Sequence, residues 1–303
     1  MKNFILLLSF SLYALCVSSQ NYVELLKLNA GTTPYNTFDS GGSRTRVNEM
    51  MADITLPVKL SEKLSLVTGL IYESIQARLF SDGPVITFGS TTLKLGVNKL
   101  LTERWAVTLV ALPKIASDHT RTGRNDFQAG ALGILKFKKR SDLTYKAGLY
   151  YNSELFGPFF VPMLGFYYLG QNKKLEANLM LPLQADVNYK VLPFMNAGVN
   201  FNGQIRSYHL TGVAPGHSST YVARSVNELF FYLKFNISKN FSIMTKVGHT
   251  LGRSYRVYDM NDKVTFGLPA IFVGGNRQQL NSDFSNGAIF QVGLLYRVNI
   301  EKK

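Results

Sequence analysis

The sequence predicts an all-β protein: a transmembrane antiparallel β-barrel of 12 to 14 strands, with short periplasmic turns and longer extracellular loops. Three observations carry this expectation: an export leader, a succession of strands that alternate apolar and polar residues, and connections that alternate between short and long. The leader comes first. The chain opens MKNFILLLSFSLYALCVSSQ, with Lys2, an apolar run from Phe4 to Val17, and the small residues Ser18 and Ser19, which is the pattern of a secretory signal peptide. The run is shorter than the roughly 20 residues that a membrane-spanning helix needs. Cleavage is expected before Gln20, so that residues 1–19 are a signal peptide and residues 20–303 the barrel. A lipoprotein cut at Cys16 would want a small residue ahead of it, where Leu15 stands. Cys16 is the only cysteine, so the mature chain can form neither a disulfide nor a thiolate metal site.

The alternating segments follow one another along the rest of the chain, and neighbouring side chains of a strand point to opposite faces. Strand patterns are read near 22–31, 47–60, 64–77, 88–101, 104–117, 127–138, 143–153, 158–169, 195–210, 220–237, 241–256 and 287–300. Residues 287–300 are typical: Ala288, Phe290, Val292, Leu294, Tyr296, Val298 and Ile300 share one phase. The segment LEANLMLPLQADVNYKV at 175–191 alternates throughout but is longer than an ordinary strand, and it contains Pro182, which has no N–H for a ladder. As one strand it makes thirteen, whereas single-chain bacterial barrels have even numbers. A hairpin at Pro182 makes fourteen; a merger with a neighbour leaves twelve.

The connections LSEKLSL at 60–66, LTERWAV at 101–107, KRSDLTY at 139–145 and ISKNFSI at 237–243 are short turns. Those at 32–46, 117–126 and 259–286 are longer and rich in Gly, Ser, Asn and Asp. Segments of about ten alternating residues with this asymmetry are the mark of an outer-membrane barrel. Such a barrel satisfies its backbone hydrogen bonds in lipid without helices. Charged residues make up 17% of the chain, fewer than the polar faces of a secreted β-sandwich would carry, and aromatics make up 13%, enough for girdles at both interfaces.

If the apolar phase meets lipid, the other phase lines the lumen. The expected lumen residues are the acids Glu49, Asp53, Glu73, Glu176 and Asp186 and the bases Lys59, Lys94, Lys146, Lys190, Lys234, Lys246 and Arg297. Their mixed sign argues against a strongly anion-selective pore. The chain carries 33 Lys and Arg against 19 Asp and Glu, a formal net charge of +14. For an exported chain, anionic lipid head groups are better partners for this excess than nucleic acid. Arg121, Arg124, Arg253 and Arg256 fall at the long-loop end, where guanidinium groups could grip lipopolysaccharide phosphates bidentately. Oligomeric state is not readable from the sequence.

No catalytic, cofactor or metal residues are expected. His119, His209 and His217 have no metal-ligand spacing, and no Ser-His-Asp arrangement stands out. The run GHTLGRS at 248–254 resembles the His-x-Ser-x-Gly-Arg motif of the outer-membrane phospholipase family, with His249 on the lipid-facing phase. Leu251 stands at the nucleophile position and cannot form an acyl-enzyme, so a lipid-acting enzyme is a distant alternative. Taken whole, the leader, the tyrosine-rich strands, GPFFVPMLGFYYLG at 157–170 and LMLPLQADVNYKV after it resemble an uncharacterised outer-membrane β-barrel family of Bacteroidota-type bacteria, domain of unknown function 6268. The resemblance implies a Gram-negative outer-membrane location and the barrel fold, and brings no catalytic residues. The expected function is passive passage of small solutes or lipid-like molecules; the alternative is a non-conducting structural or interaction barrel that presents extracellular loops.

Overall fold

The structure is a computed structural model and describes residues 22–299 except 42, 121 and 276; the leader and its cleavage site lie outside the described residues. Thirteen strands follow one another: β1 (Tyr22–Thr37), β2 (Arg44–Lys59), β3 (Leu64–Arg78), β4 (Val85–Leu100), β5 (Trp105–Ser117), β6 (Phe127–Arg140), β7 (Leu143–Glu154), β8 (Gly157–Leu169), β9 (Leu175–Leu181), β10 (Gln184–Leu192), β11 (Met195–Thr211), β12 (Ser219–Asn236) and β13 (Phe241–Thr250). After a break at Leu251–Arg253, β14 (Ser254–Asp259) continues the line of β13 along β12. The hairpin β15 (Phe266–Leu268) and β16 (Ile271–Val273) follows, and then β17 (Ala288–Asn299). β17 pairs antiparallel with both β13 and β1, which closes the wall. The barrel therefore has fourteen antiparallel strands, β1–β13 and β17.

The alternation read from the sequence becomes an outward belt and an inward polar face. Leu95, Leu109, Leu149, Leu164, Phe231, Val247 and Phe290 all point outward and are exposed, as the lipid-facing band of such a barrel requires. Backbone space is tight where strands coil. A side chain on Gly165 of β8 would collide with the Leu179 carbonyl on β9, so only glycine fits this close approach.

The segment 175–191 turns at Pro182–Leu183 and forms two short strands, so the count is fourteen. Met180 faces Gln184 and Ala177 faces Val187 across the turn. Partners across this hairpin are separated by even numbers of residues, so the alternation runs through the turn unbroken. Two other sequence expectations change. Residues 32–46 are mostly strand, with a loop only between Thr37 and Arg44, and 259–286 contains the β15–β16 hairpin. At the long-loop end, the β7–β8 and β9–β10 connections are as tight as any at the short-turn end.

Because β9 and β10 stop early, two neighbours lose their partner. Leu181, the end of β9, faces Leu164 of β8, and Gln184, the start of β10, faces Asn202 of β11. The stretches 157–163 of β8 and 204–211 of β11 therefore extend beyond the hairpin as free edges. Leu169 N–H donates to Asp142 O, away from β9, and Gly170 N–H to Leu175 O, toward it. Regular alternation then points the backbone groups of residues 158, 160 and 162 at the gap. Pro158 and Pro162 have no N–H there, which is where a strand edge tolerates proline. β15 covers the rest of the edge, with Gly267 in parallel register with Phe159.

The free edge of β11 swings inward across the barrel mouth. Its His209 pairs in parallel with Ser117 of β5, and its backbone is satisfied mainly by side chains. Ser207 N–H donates to Glu154 Oε2 at 2.6 Å, Ser207 O accepts from Gln128 Nε2 at 3.0 Å, and Thr211 N–H donates to Asp118 Oδ2 at 2.7 Å. The β11–β12 hairpin thus forms a partition with both faces buried. On one side Tyr208, Leu210, Val222 and Val226 pack with Tyr255 and Val257 against Val47, Ile75, Phe88 and Ala116. On the other, Tyr221 packs with Tyr258 and Val264 against Phe156, Phe159, Val161 and Met163 of the β8 side. Each large apolar side chain buried here contributes roughly 1.5–3 kcal/mol, so the long-loop half of the barrel is a filled core.

The turn at Pro182 has a direct test. In a chain whose single native cysteine, Cys16, is replaced by serine, Leu179→Cys with Ala185→Cys, placed opposite each other, is expected to form a disulfide on mild oxidation, seen as a shift in gel mobility abolished by reductant. One continuous strand would hold the two roughly 20 Å apart, and no shift would appear.

Candidate functional site

Beneath the apolar plug lies a lumen cavity of about 740 Å³, within the usual range for small-molecule sites. Every strand that bounds it places a polar side chain on its inward phase. Of the residues expected in the lumen, Glu49, Asp53, Glu73, Glu176, Asp186, Lys234 and Lys246 line this cavity. Lys190 and Arg297 line a smaller one of about 230 Å³ at the short-turn end, where Lys173, Lys174 and Asn196 also lie. Lys94 meets Asp53 and donates to Thr55 Oγ1 at 2.8 Å, Lys146 reaches Asn178, and Lys59 pairs with Glu62 at 2.6 Å beside a turn.

The charge network is densest directly under the plug. Arg224, 2% exposed, donates from Nη2 to Glu49 Oε1 at 2.6 Å and from Nε to the Tyr255 hydroxyl at 2.8 Å, and Nη1 also meets Gln204. Glu228 lies 3.8 Å and Glu73 3.9 Å from the same guanidinium. Glu73 accepts from Arg206 Nη1 at 2.6 Å and from Tyr208 OH at 2.7 Å. Lys114 stands 3.4 Å from Glu154, the carboxylate that also holds Ser207 at the edge of β11. Lower down, Glu176 accepts from Tyr22 OH at 2.8 Å and Tyr167 OH at 3.0 Å, and Asp186 from Tyr232 OH at 3.0 Å. Buried charges paired and hydrogen-bonded in this way fix the shape of the lumen more than they add net stability.

The cavity has apolar lining on several strands, including Met51, Ile71, Met244 and Leu295, and one apolar stretch lies beside the gap. Leu112, Tyr150, Phe159, Leu183 and Ile205 form this stretch, next to the gap above the β9–β10 hairpin. The cavity is therefore amphipathic, with an apolar stretch turned toward the discontinuity in the barrel wall.

The arginines of the long-loop end separate into different roles. Arg253 is 6% exposed; its guanidinium donates to Thr33 Oγ1 at 2.9 Å and Ser285 O at 2.7 Å and also meets Asn36. This occupied, buried group is not presented to lipopolysaccharide. Arg256 pairs with Asp283 at 2.8 Å and keeps 47% of its side chain exposed, Arg124 is exposed, and Arg121 lies outside the described residues. His249 is on the outward face, with Nδ1 2.7 Å from Thr250 O.

Sequence reasoning did not find the chain Asp126–His209–Ser219. His209 Nδ1 is 2.6 Å from Asp126 Oδ1 and its Nε2 2.8 Å from Ser219 Oγ, while Asp126 Oδ2 accepts from Gly123 N–H at 2.8 Å. Asp126 lies 83 residues from His209 and the three form no recognisable motif, and together they tie the β5–β6 loop to the infolded β11–β12 hairpin. Nearby, outside the membrane, the Asn261 N–H and then His217 hold the Asp259 carboxyl below its usual range. Sequence reasoning also missed Lys114, Lys136, Glu154, Arg206, Arg224 and Glu228 in the lumen wall; all but Glu154 share the inward phase of strands that had been identified. Among the described residues no group of three or more His, Cys, Asp or Glu could hold a metal.

Removing the Arg224 guanidinium leaves Glu49 and Glu228 without a cationic partner and Glu73 with Arg206 alone. Arg224→Met is expected to lower stability by about 3–5 kcal/mol, measured as a fall in the urea midpoint of unfolding; a midpoint equal to that of the original chain would mean that the network is not formed.

Solved structures of similar overall fold include an outer membrane channel from Pseudomonas putida F1, at 8% identity over 95% of this chain and 98% of that one, TM-score 0.45. The monoaromatic hydrocarbon channel TodX matches at 8% identity over 97% and 94%, TM-score 0.41, and a FadL homologue from Pseudomonas aeruginosa at 10% over 93% and 91%, TM-score 0.34. No curated sequence matches the chain. The family model for Domain of unknown function (DUF6268) matches residues 45–297, which is most of the chain and all but one of its barrel strands, and the protein belongs to that family.

Proposed function

We propose that this protein is exported by its N-terminal leader to the outer membrane of a Gram-negative cell, where it passes small amphipathic, lipid-like molecules and is not an open ion pore. The observation that carries this reading is the division of the barrel along its axis. A filled apolar core stands at the long-loop end, a largely polar cavity lies beneath it, and an apolar stretch of its lining borders the gap above the β9–β10 hairpin. Ions need a continuous wet path, and the plug interrupts the axial one. A molecule with a hydrocarbon part can use this apolar stretch, and its polar part can exchange water for the hydrogen-bonding groups of the lumen. The paired charges and filled mouth also suit a structural barrel that only presents its loops, so transport itself is the discriminating observation.

Two measurements on the purified, reconstituted protein test this. In planar bilayers it is expected to give no steady conductance. In liposomes it is expected to speed the uptake of a short alkyl sulfonate, whose charge keeps it from crossing lipid alone, while neutral sugars stay excluded. Steady ionic conductance would overturn the closed-mouth reading; sulfonate uptake no faster than in protein-free liposomes would leave the structural barrel.

A further inference from the structure

The register of β6 and β7 sets Lys136 directly opposite Lys146, and both lie on the inward phase. Lys136 lines the main cavity. Lys146 donates to Asn178 Oδ1 at 2.6 Å and stands 5.8 Å from the centre of the Tyr167 ring. The lumen's ion pairs lie elsewhere, in Lys94 with Asp53, Lys114 with Glu154, Arg206 with Glu73 and Arg224 with Glu49. Among the described residues no carboxylate forms an ion pair with either lysine. Like charges directly opposite each other on neighbouring strands are destabilising, and ammonium groups drawn away from water without a counter-charge cost more. The barrel maintains this pair without an ion-paired carboxylate, whereas Arg206 and Arg224, which also face each other across neighbouring strands, each have one.

The surroundings say what would neutralise the pair. Further along the same lumen face toward the plug the wall turns apolar. Leu132 is four residues from Lys136 along β6, about 13 Å by strand rise, and Tyr150 is four residues from Lys146 along β7. Gly148 lies between Lys146 and Tyr150 with no side chain of its own, and the terminal methyls of Met163 and Met180 reach over it. Thioether side chains are flexible and adapt to what they cover. Leu183 and Ile205 continue the apolar wall toward the gap.

We propose that Lys136 and Lys146 bind the carboxylate of a single-chain alkyl acid, whose tail lies along the apolar wall under Met163 and Met180. Two point-charge ammonium groups suit a compact anionic head, and the distance to the apolar wall suits a medium-length chain. The proposal rests on the reading of the lumen as a route for lipid-like solutes and names the head-group site within it.

The test uses the full chain in lipid nanodiscs, titrated calorimetrically with octanoate and with octan-1-ol, with empty nanodiscs subtracted. Saturable octanoate binding is expected, and Lys136→Met with Lys146→Met is expected to weaken it tenfold or more while leaving octanol unchanged. Lys136→Arg with Lys146→Arg keeps the charge and is expected to retain binding within a few-fold. The double methionine variant relieves a like-charge contact, so its melting temperature should not fall, which separates loss of binding from loss of fold. The site is overturned if no saturable octanoate binding appears, if the methionine variant binds octanoate as before, or if octanol binds the original chain as tightly as octanoate. If octanoate binds through the lysines but alkyl sulfonate uptake is absent, the site stands and the passage reading falls; uptake that persists without octanoate binding has the reverse meaning.

Discussion

Every backbone N–H and C=O that enters a membrane must find a partner within the protein, and one hairpin of this barrel is too short to pair its two neighbours along their full length. β9 and β10 end at Leu181 and begin at Gln184, well below the ends of β8 and β11. The rest of the long-loop half can be understood as the consequence. On one side of the gap, Pro158 and Pro162 remove donors and β15 supplies a strand partner. On the other, β11 bends across the mouth until its own edge meets Ser117, Asp118, Gln128 and Glu154.

That bend sets the character of the lumen. Once the β11–β12 hairpin lies inside the barrel, residues of both phases are buried, and Tyr208 and Tyr221 serve apolar clusters on opposite sides of the same sheet. The charged residues beneath are left in a confined space, where Arg206 and Arg224 are held by Glu73 and Glu49, carboxylates that also accept from the hydroxyls of Tyr208 and Tyr255. Plug and charge network are thus one construction: the same two tyrosines contribute rings to the apolar layer and hydroxyls to the polar one. The lysines on β6 and β7 stand apart from this network, nearer the short-turn end of those strands than Gln128 and Glu154, which β11 reaches.

The strands were legible because period-2 alternation is local, and β3, β5, β7 and β8 begin and end within one residue of the sequence reading. The turn at Pro182 was only partly legible. Its partners are an even number of residues apart, so the alternation shows no break there, and proline with an awkward strand total was the sole sign. The infolding of β11 and β12 was not legible at all. Tyr208 and Val222 alternate as they would in any barrel wall, and what draws them inward is the early end of β10, the strand beside β11. For the same reason, Arg253 read as a rim arginine, although the folded chain buries it. The lysine pair was half visible: Lys146 was assigned to the lumen, but opposition to Lys136 depends on register, which one strand alone does not reveal.

The account stands on β11 crossing the mouth to reach β5. Double electron–electron resonance between spin labels at Thr120 and Ser218, exposed positions beside the two elements that meet, measures this in the folded protein. A short, narrow distance distribution is predicted, unchanged between detergent and lipid. A long or broad distribution, approaching the width of the barrel, would place the hairpin upright in the wall and contradict the closed mouth on which the reading of the lumen depends.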